Sequence, residues 1–150
     1  MEVRANKQYH PQMHSAEHIL NQTMVRMFNC GRSFTNHIEK KKSKCDYHLS
    51  RDLTQAEIEE IELKVNKVIG QDLAVSEEFY SIEDAEVKFN LSKLPEDAGT
   101  KIRVIKIGEY DACPCSGLHV SNTNEIGTFK IISTDFNEGV LRVRFKLLNN

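Results

Sequence analysis

The chain has 150 residues and a formal net charge of −2, with 39% hydrophobic and 28% charged residues. This length and balance predict one globular domain, residues 1–150, with a substantial core. No apolar run is long enough to cross a bilayer, and the polar start MEVRANKQYH lacks the apolar stretch of a signal peptide. We therefore expect a cytoplasmic protein with reduced thiols and no membrane partner.

The first part of the chain predicts a helix followed by two strands. The helix should begin near Pro11 and run to about Cys30, with apolar residues at helical spacing, and Gly31 should end it. Residues 32–40 and 43–50 alternate in polarity and are predicted as two strands joined by a lysine-rich turn.

The rest of the chain alternates between helices and strands and closes with a hairpin. A helix is predicted over residues 54–70, because Thr54 and Glu57 form a capping box ahead of an amphipathic stretch. The elements expected after it are, in chain order, a strand at 74–81, a short helix at 81–89, a strand at 101–108, and hairpin strands at 126–136 and 140–148. This mixed order predicts an α+β fold, an antiparallel sheet with helices packed on one face.

Two pairs of candidate metal ligands stand far apart in the sequence. In HSAEH, His14 and His18 are four residues apart, which places both imidazoles on one face of the first helix. In CPCSGLHV, Cys115 and His119 have the same separation. Three imidazoles and one thiolate together favour zinc. The residues alone leave alternatives open, namely histidines on a helix surface and cysteines that are simply buried as small apolar side chains.

Three motifs and their order resemble a known family. HSAEHIL, CSGLHV and NTNEIGTFKI, at residues 14–20, 115–120 and 122–131, closely resemble segments of the editing domain of alanyl-tRNA synthetase. They also resemble segments of that domain's free-standing relatives, the AlaX-type trans-editing proteins, and the threonyl-tRNA synthetase editing domain shares the HxxxH and CxxxH signature. The resemblance runs from about residue 10 to the C-terminus.

The resemblance implies the editing-domain fold, a zinc ion and a hydrolytic reaction. It places zinc on His14, His18, Cys115 and His119. The implied substrate is the ester that joins a wrong amino acid, typically serine, to the alanine tRNA, so the expected partner is a misacylated tRNA and not DNA. Four protein ligands also suit a closed structural site, so whether zinc acts on the ester or only orients the substrate stays open.

The same resemblance suggests residues that contact the substrate. Thr35 stands where the free-standing relatives carry a threonine that contacts the serine hydroxyl. Ser116 and Leu118 depart from the CGGTH that the synthetases usually have, and we expect these two positions to shape the pocket. The preferred amino acid and tRNA are therefore not determined by the motif.

Three other residues near the motifs are not expected to bind the metal. Cys113 lies two residues before the expected ligand and could exchange with it, but a bystander role is favoured. His10 is expected to cap the first helix. Glu17 precedes the second histidine, so it does not match the base of the HExxH motif, and we expect a surface residue or a neighbour of the ligands.

Basic residues between the first two strands are candidate RNA contacts. They are Lys40, Lys41, Lys42 and Lys44, with Arg142 or Arg144 as further candidates. The alternative is a solvated turn.

Other functions also fit the motifs: a deacylase for another mischarged tRNA, a non-catalytic zinc module that binds tRNA or protein, and a zinc hydrolase of small esters. The oligomeric state is not predicted.

Overall fold

A computed structural model of the protein describes residues 10–89, 91 and 101–148. Its elements are, in chain order, α1 (Pro11–Phe28), β1 (Thr35–His37), β2 (Ser43–His48), α2 (Gln55–Gly70), β3 (Val75–Ser81), α3 (Ile82–Lys88), β4 (Lys101–Ile107), β5 (Asp111–Pro114), a 3₁₀ turn (Thr123–Glu125), β6 (Thr128–Asn137) and β7 (Val140–Leu148). This α+β composition confirms the predicted fold class.

The prediction of one domain over residues 1–150 stays a prediction, and most of the polar start, residues 1–9, lies outside the described residues. No helix in the described part of the chain is long and apolar enough to span a membrane.

Helix α1 begins at Pro11 as predicted but ends earlier than predicted. Asn29 takes the left-handed conformation (φ 54°), and its backbone amide donates to the carbonyl of Val25. Gly31 therefore does not end the helix, because asparagine also tolerates this conformation. His10 occupies the N-cap position, but its side chain makes no capping hydrogen bond. His10 therefore stands at the start of the helix as predicted, and it is its backbone carbonyl that accepts from the amide of His14 at 2.9 Å.

The strands divide into two antiparallel sheets. One has four strands in the order β1-β2-β7-β6, and the other has three in the order β3-β4-β5. The first sheet pairs β2 with β7, so residues that are far apart in the chain become neighbours. Strand β5 was not predicted, because four residues are too few for alternation to identify a strand.

The main core lies between helices α1 and α2 and one face of the four-stranded sheet. Its largest fully buried side chains include Tyr47, Phe129 and Phe145 from the sheet and Ile19 and Leu20 from α1. These apolar side chains hold α1 against the sheet by removing large areas from water. A smaller cluster of Ala85, Ile102 and Val104 joins α3 to the three-stranded sheet.

The loop that follows β5 is fastened to the end of α2. The hydroxyl of Thr123 donates to the carbonyl of Ile69 (3.0 Å) and accepts from the backbone amide of Leu73 (2.8 Å). Thr123 is fully buried, so these bonds are shielded from water. Between β5 and this attachment the loop contacts α1, where the backbone amide of Val120 donates to the hydroxyl of Ser15.

Candidate metal centre

Four side chains that the sequence proposed as metal ligands meet at one place. His14 and His18 come from α1, and Cys115 and His119 come from the loop after β5. Each residue offers one ligand atom, and the four atoms lie within 4.8 Å of one another. The three imidazole rings surround this point, with centroids 4.2 to 4.9 Å apart. The two widely separated motifs therefore form one site.

Each of the three histidines has its Nδ1 atom next to a different polar group of the protein. The Nδ1 of His14 lies 3.2 Å from the backbone carbonyl of Leu118. The Nδ1 of His119 lies 3.0 Å from the hydroxyl of Ser15. The Nδ1 of His18 lies 3.5 Å from a carboxylate oxygen of Asp111. A carbonyl and a carboxylate only accept, so they favour the tautomer with a proton on Nδ1 and a free lone pair on Nε2.

The Nε2 atoms are the ones left for the centre. The Nε2 of His14 lies 3.2 Å from the sulfur of Cys115. The Nε2 of His119 is buried and has no hydrogen-bond partner within the described part of the chain. A buried nitrogen without a partner is costly, and a metal ion would supply the partner.

The loop around Cys115 is shaped by Arg103 on β4. The guanidinium of Arg103 donates to the carbonyls of Cys115 and Gly117, both at 2.9 Å. The amide of Gly117 donates to the Cys115 sulfur at 3.4 Å. Burial opposes ionisation of this thiol, but the surrounding imidazoles of His119, His14 and His18 outweigh it and lower the pKa of Cys115 to about 2. The site thus favours the thiolate, the form of cysteine that binds metals.

A buried carboxylate supports the fourth ligand, His18. Asp111 is 4% exposed and receives a two-point contact from Arg32, at 2.7 and 3.3 Å, and a third bond from Gln22 at 2.8 Å. Burial opposes a charged His18, but Asp111 and Cys115 outweigh it and raise the pKa of His18 to about 10. Binding of a metal at Nε2 would therefore displace a proton. Sequence reasoning did not identify these supports, because Asp111 and Arg32 lie outside the HxxxH and CxxxH motifs and Ser15 stands at a variable position of HxxxH.

The donor set fits zinc. Three imidazole nitrogens and one thiolate are ligands that zinc prefers, and four donors suit its tetrahedral coordination. The Nδ1 partners found here are the usual supports of a histidine that binds metal through Nε2.

Glu17 is a buried neighbour of the ligands rather than a surface residue. It is 3% exposed, and its Oε1 lies 3.6 Å from Nε2 of His14. Its Oε2 accepts from the side-chain amides of Asn21 (3.2 Å) and Asn36 (3.0 Å). The structure thus decides between the two roles that the sequence left open for Glu17.

The three proposed substrate contacts occupy different surroundings. Thr35 is exposed on β1, and its hydroxyl donates to Asp46 at 2.9 Å. Its neighbour Asn36 is the β1 residue whose side chain reaches Glu17. Ser116 and Leu118 are exposed in the loop that carries Cys115, and Leu118 is 55% exposed. The role of all three in substrate binding stays a prediction.

Cys113 lies outside the ligand cluster. The cluster found among the described residues is formed by the other four side chains, and the Cys113 thiol donates to the carbonyl of Pro114 at 3.4 Å. Burial raises the pKa of Cys113, so this thiol is less readily ionised than Cys115. His10 is likewise outside the cluster.

The predicted RNA contacts lie at the β1–β2 turn. Lys40, Lys41 and Lys42 are exposed in the turn, and Lys44 is partly exposed on β2. An open groove of about 1010 Å³ lies beside the turn, and its lining includes Lys40, Lys41 and Met13. Since Met13 directly precedes His14, the groove adjoins the helix segment that carries the first ligand.

The chain is similar to proteins that act in alanyl-tRNA editing and alanyl-tRNA synthesis. Residues 102–144 match the family described as the threonyl and alanyl tRNA synthetase second additional domain. The chain is 34% identical over 121 residues to the alanyl-tRNA editing protein AlaX-L of Pyrococcus horikoshii, covering 81% of this chain and 29% of that protein. It is 32% identical over 135 residues to the alanine–tRNA ligase of Oceanobacillus iheyensis, covering 87% of this chain and 15% of that protein.

The chain spans less than a third of each of these relatives. The matched family segment runs from β4 to β7 and includes both Cys115 and His119. Together with the converging HxxxH and CxxxH side chains, these likenesses show that the chain belongs to the family of alanyl-tRNA synthetase editing domains and AlaX-type editing proteins.

Proposed function

We propose that this protein is a zinc-dependent deacylase that acts in trans in the cytoplasm on misacylated tRNA, with seryl-tRNA(Ala) as the first candidate substrate. The observation that carries the proposal is the Cys/His₃ cluster, in which His14 and His18 are buried and the Nδ1 atom of each imidazole lies next to a polar group of the protein. The likeness to a protein named for alanyl-tRNA editing supports the reaction class.

The proposed roles at the centre follow from the contacts. His14, His18, Cys115 and His119 would hold zinc, which when bound polarises an ester carbonyl or lowers the pKa of a water molecule. Hydrolysis adds water across the ester, so the acyl carbon gains a hydroxyl and the ribose oxygen of the tRNA takes a proton. Leu118, Ser15 and Asp111 keep the imidazoles oriented, so the site needs little rearrangement during the reaction.

Glu17 is the residue best placed to interact with the charged end of the substrate. An aminoacyl ester carries a positively charged amino group next to its carbonyl carbon. The buried Glu17 carboxylate lies 3.6 Å from a ligand nitrogen and is steadied by two asparagine amides. It would attract the amino group and thereby place the neighbouring carbonyl at the centre.

Selectivity for the amino acid is proposed to come from Thr35, Ser116 and Leu118. A hydroxyl that pairs with serine would be left without a partner by alanine, and this penalises the correct ester. The Leu118 carbonyl also holds His14, so a change in the backbone there would affect both the pocket and the metal. The tRNA itself would be bound through phosphates by Lys40, Lys41, Lys42 and Lys44.

Deacylation of purified mischarged tRNAs tests the proposal. The protein should release serine from seryl-tRNA(Ala) faster than alanine from alanyl-tRNA(Ala), and chelation of zinc should stop the release. Release from a different mischarged tRNA would change the substrate but keep the reaction. Turnover of small free esters without tRNA would instead indicate a general ester hydrolase.

One observation favours a second function, a non-catalytic zinc module that binds tRNA or protein. All four zinc donors come from the protein, and this is the usual composition of structural sites. Such a module would contain zinc and would release no amino acid from any tested aminoacyl-tRNA.

A further inference from the structure

One face of the four-stranded sheet carries an excess of positive charge. Residues Ser43, Cys45 and Tyr47 of β2 face the core, and side chains at alternate positions point to the opposite face. The basic residues at these outward positions, here called the basic face, are His37, Lys44, His48, Lys130, Arg142, Arg144 and Lys146. Asp46 and Asp135 are the only acidic residues in the four strands.

The basic face places like charges directly opposite each other on neighbouring strands. Lys44 is opposite Arg144 on β2 and β7, and Lys130 is opposite Lys146 on β6 and β7. Directly opposed like charges destabilise an antiparallel sheet. A bound anion would relieve this repulsion, whereas water relieves it only in part.

In the other sheet, by contrast, basic side chains lie close to acidic ones. On the three-stranded sheet, Arg103 lies 2.8 Å from Glu77, and Lys106 lies 3.6 Å from Glu78. The repeated opposition of like charges is therefore a feature of the basic face.

Two amines of the basic face have no carboxylate of the described residues in close contact. Arg142 contacts Asp46 at 2.8 Å, Arg144 contacts Asp135, and Lys130 lies 3.7 Å from Glu62. Within the described part of the chain, no carboxylate oxygen lies within 4.0 Å of the amines of Lys44 and Lys146. These two amines are therefore available to an external anion.

The turn from β1 to β2 borders both the basic face and the groove. It carries Lys40, Lys41 and Lys42 and leads directly to Lys44 on the basic face. Lys40 and Lys41 line the groove together with Met13 of α1 and one acidic residue, Glu125. The turn is therefore the place where the basic face meets the side of the sheet that α1 covers.

We propose that the basic face binds the phosphate backbone of the tRNA and that the RNA passes the lysine turn to reach the side of the sheet that carries the metal centre. The identity of the RNA rests on the proposed function, but binding to the face is measurable without catalysis. A polyanion with regularly spaced phosphates matches a row of exposed amines that spans neighbouring strands.

Binding of an uncharged, fluorescently labelled tRNA(Ala) transcript tests the proposal, with anisotropy measured over a range of salt concentrations. The test variant carries Lys44→Gln, Lys130→Gln and Lys146→Gln. It should bind more weakly, and the slope of log affinity against log salt should fall by about 1 for each phosphate that is no longer neutralised, about 3 in all. The matched control carries Lys64→Gln, Lys67→Gln and Lys88→Gln, with the same change in net charge, and should bind like the wild type.

Thermal unfolding separates weaker RNA binding from damage to the fold. The test variant removes two opposed pairs of like charges but also the exposed ion pair between Lys130 and Glu62, so its melting temperature without RNA should stay close to that of the wild type. Unchanged affinity and salt slope in a folded test variant would overturn the proposal, and so would equal weakening in both variants.

If the wild type binds tRNA through this face but releases no amino acid, the inference stands and the proposed function fails. If the wild type deacylates tRNA and the test variant has an unchanged KM, the function stands and the inference fails.

Discussion

The hydroxyl of Ser15 lies 3.0 Å from Nδ1 of His119 and accepts a hydrogen bond from the backbone amide of Val120 at 3.2 Å. Ser15 is fully buried on α1, one residue after the ligand His14. A single hydroxyl thus orients a ligand from the distant motif and fixes the backbone beside it. We infer that the serine in HSAEH contributes to assembly of the metal centre.

Ser15→Ala tests this role. The variant removes the hydroxyl that holds Nδ1 of His119, so zinc affinity should fall by about 10- to 100-fold, the usual effect of removing such a support. Competition with a chromogenic chelator measures the affinity. Ser121→Ala, at an exposed position in the same loop, is the control and should keep wild-type affinity. Equal affinity of the Ser15 variant and the wild type would contradict the assigned role.

Loss of a ligand should remove zinc, whereas loss of the neighbouring cysteine should not. His14→Ala and His119→Ala each leave three donors in a buried site and should yield protein with little or no bound zinc. Cys113→Ser should retain zinc, since this thiol lies outside the cluster. Elemental analysis of protein purified without added metal measures the content. Zinc loss in the Cys113 variant would mean that the wrong cysteine had been assigned.

Reversal of charge at the lysine turn should weaken use of the tRNA substrate without emptying the metal site. The variant changes Lys40, Lys41 and Lys42 to Glu, and the KM for the mischarged tRNA should rise by at least ~10-fold because the turn would then repel phosphates. The matched control changes Lys64, Lys67 and Lys88 to Glu. Steady-state deacylation and zinc analysis of both variants check the result, and unchanged kinetics would identify the run as a solvated turn.

Thr35→Val keeps the shape of the side chain and removes its hydroxyl. If Thr35 contacts the serine substrate, release of serine should lose about 1–3 kcal/mol of transition-state stabilisation, while release of glycine should be nearly unchanged. Single-turnover deacylation of seryl-, glycyl- and alanyl-tRNA(Ala) measures this difference. The hydroxyl also donates to Asp46. Equal losses on all substrates would therefore show that Thr35 supports the sheet rather than the serine side chain.

The cap of helix α2 should contribute stability that depends on pH. Arg51 donates to both carboxylate oxygens of Glu57, at 2.8 and 2.7 Å, and this contact together with the backbone amide of Thr54 lowers the pKa of Glu57 from 4.5 to about 2. Because the pKa is lower in the folded state, the stabilisation is present above pH 4.5 and is lost as the pH falls towards about 2.

Glu57→Gln isolates this effect, since glutamine can still complete a capping box. The variant should be less stable than the wild type at pH 7, and the difference should shrink between pH 4.5 and about 2. Urea unfolding at several pH values gives the free energies. Glu86→Gln on α3, at an exposed position, should show no comparable trend, and a constant difference for the Glu57 variant would contradict the assignment.

The order of elements could be predicted largely from local patterns. The 54–70 helix is an example, because its capping box and amphipathic spacing are local features, and Thr54 and Glu57 form that box in the structure. Local patterns were insufficient where a strand was short or where a second residue could end a helix. Helix α1 ends at Asn29 rather than at Gly31. Strand β5 is a strand because it pairs with β4.

The buried polar side of α1 could not be predicted in the same way. A helix with His14, Ser15 and Glu17 on one side resembles an ordinary surface helix when only its apolar stripe is considered. In the structure these residues are buried because the loop after β5 covers them.

The sequence by itself determined which residues could bind a metal, since a spacing of four on a helix and the chemistry of histidine and cysteine are local properties. Only the tertiary structure decided that the two pairs share one centre and that Ser15, Asp111 and the Leu118 carbonyl hold the three imidazoles. The physical reason is that these contacts join residues about a hundred positions apart in the chain. Sheet register and core packing bring such residues together, and spacing along the chain carries no information about them.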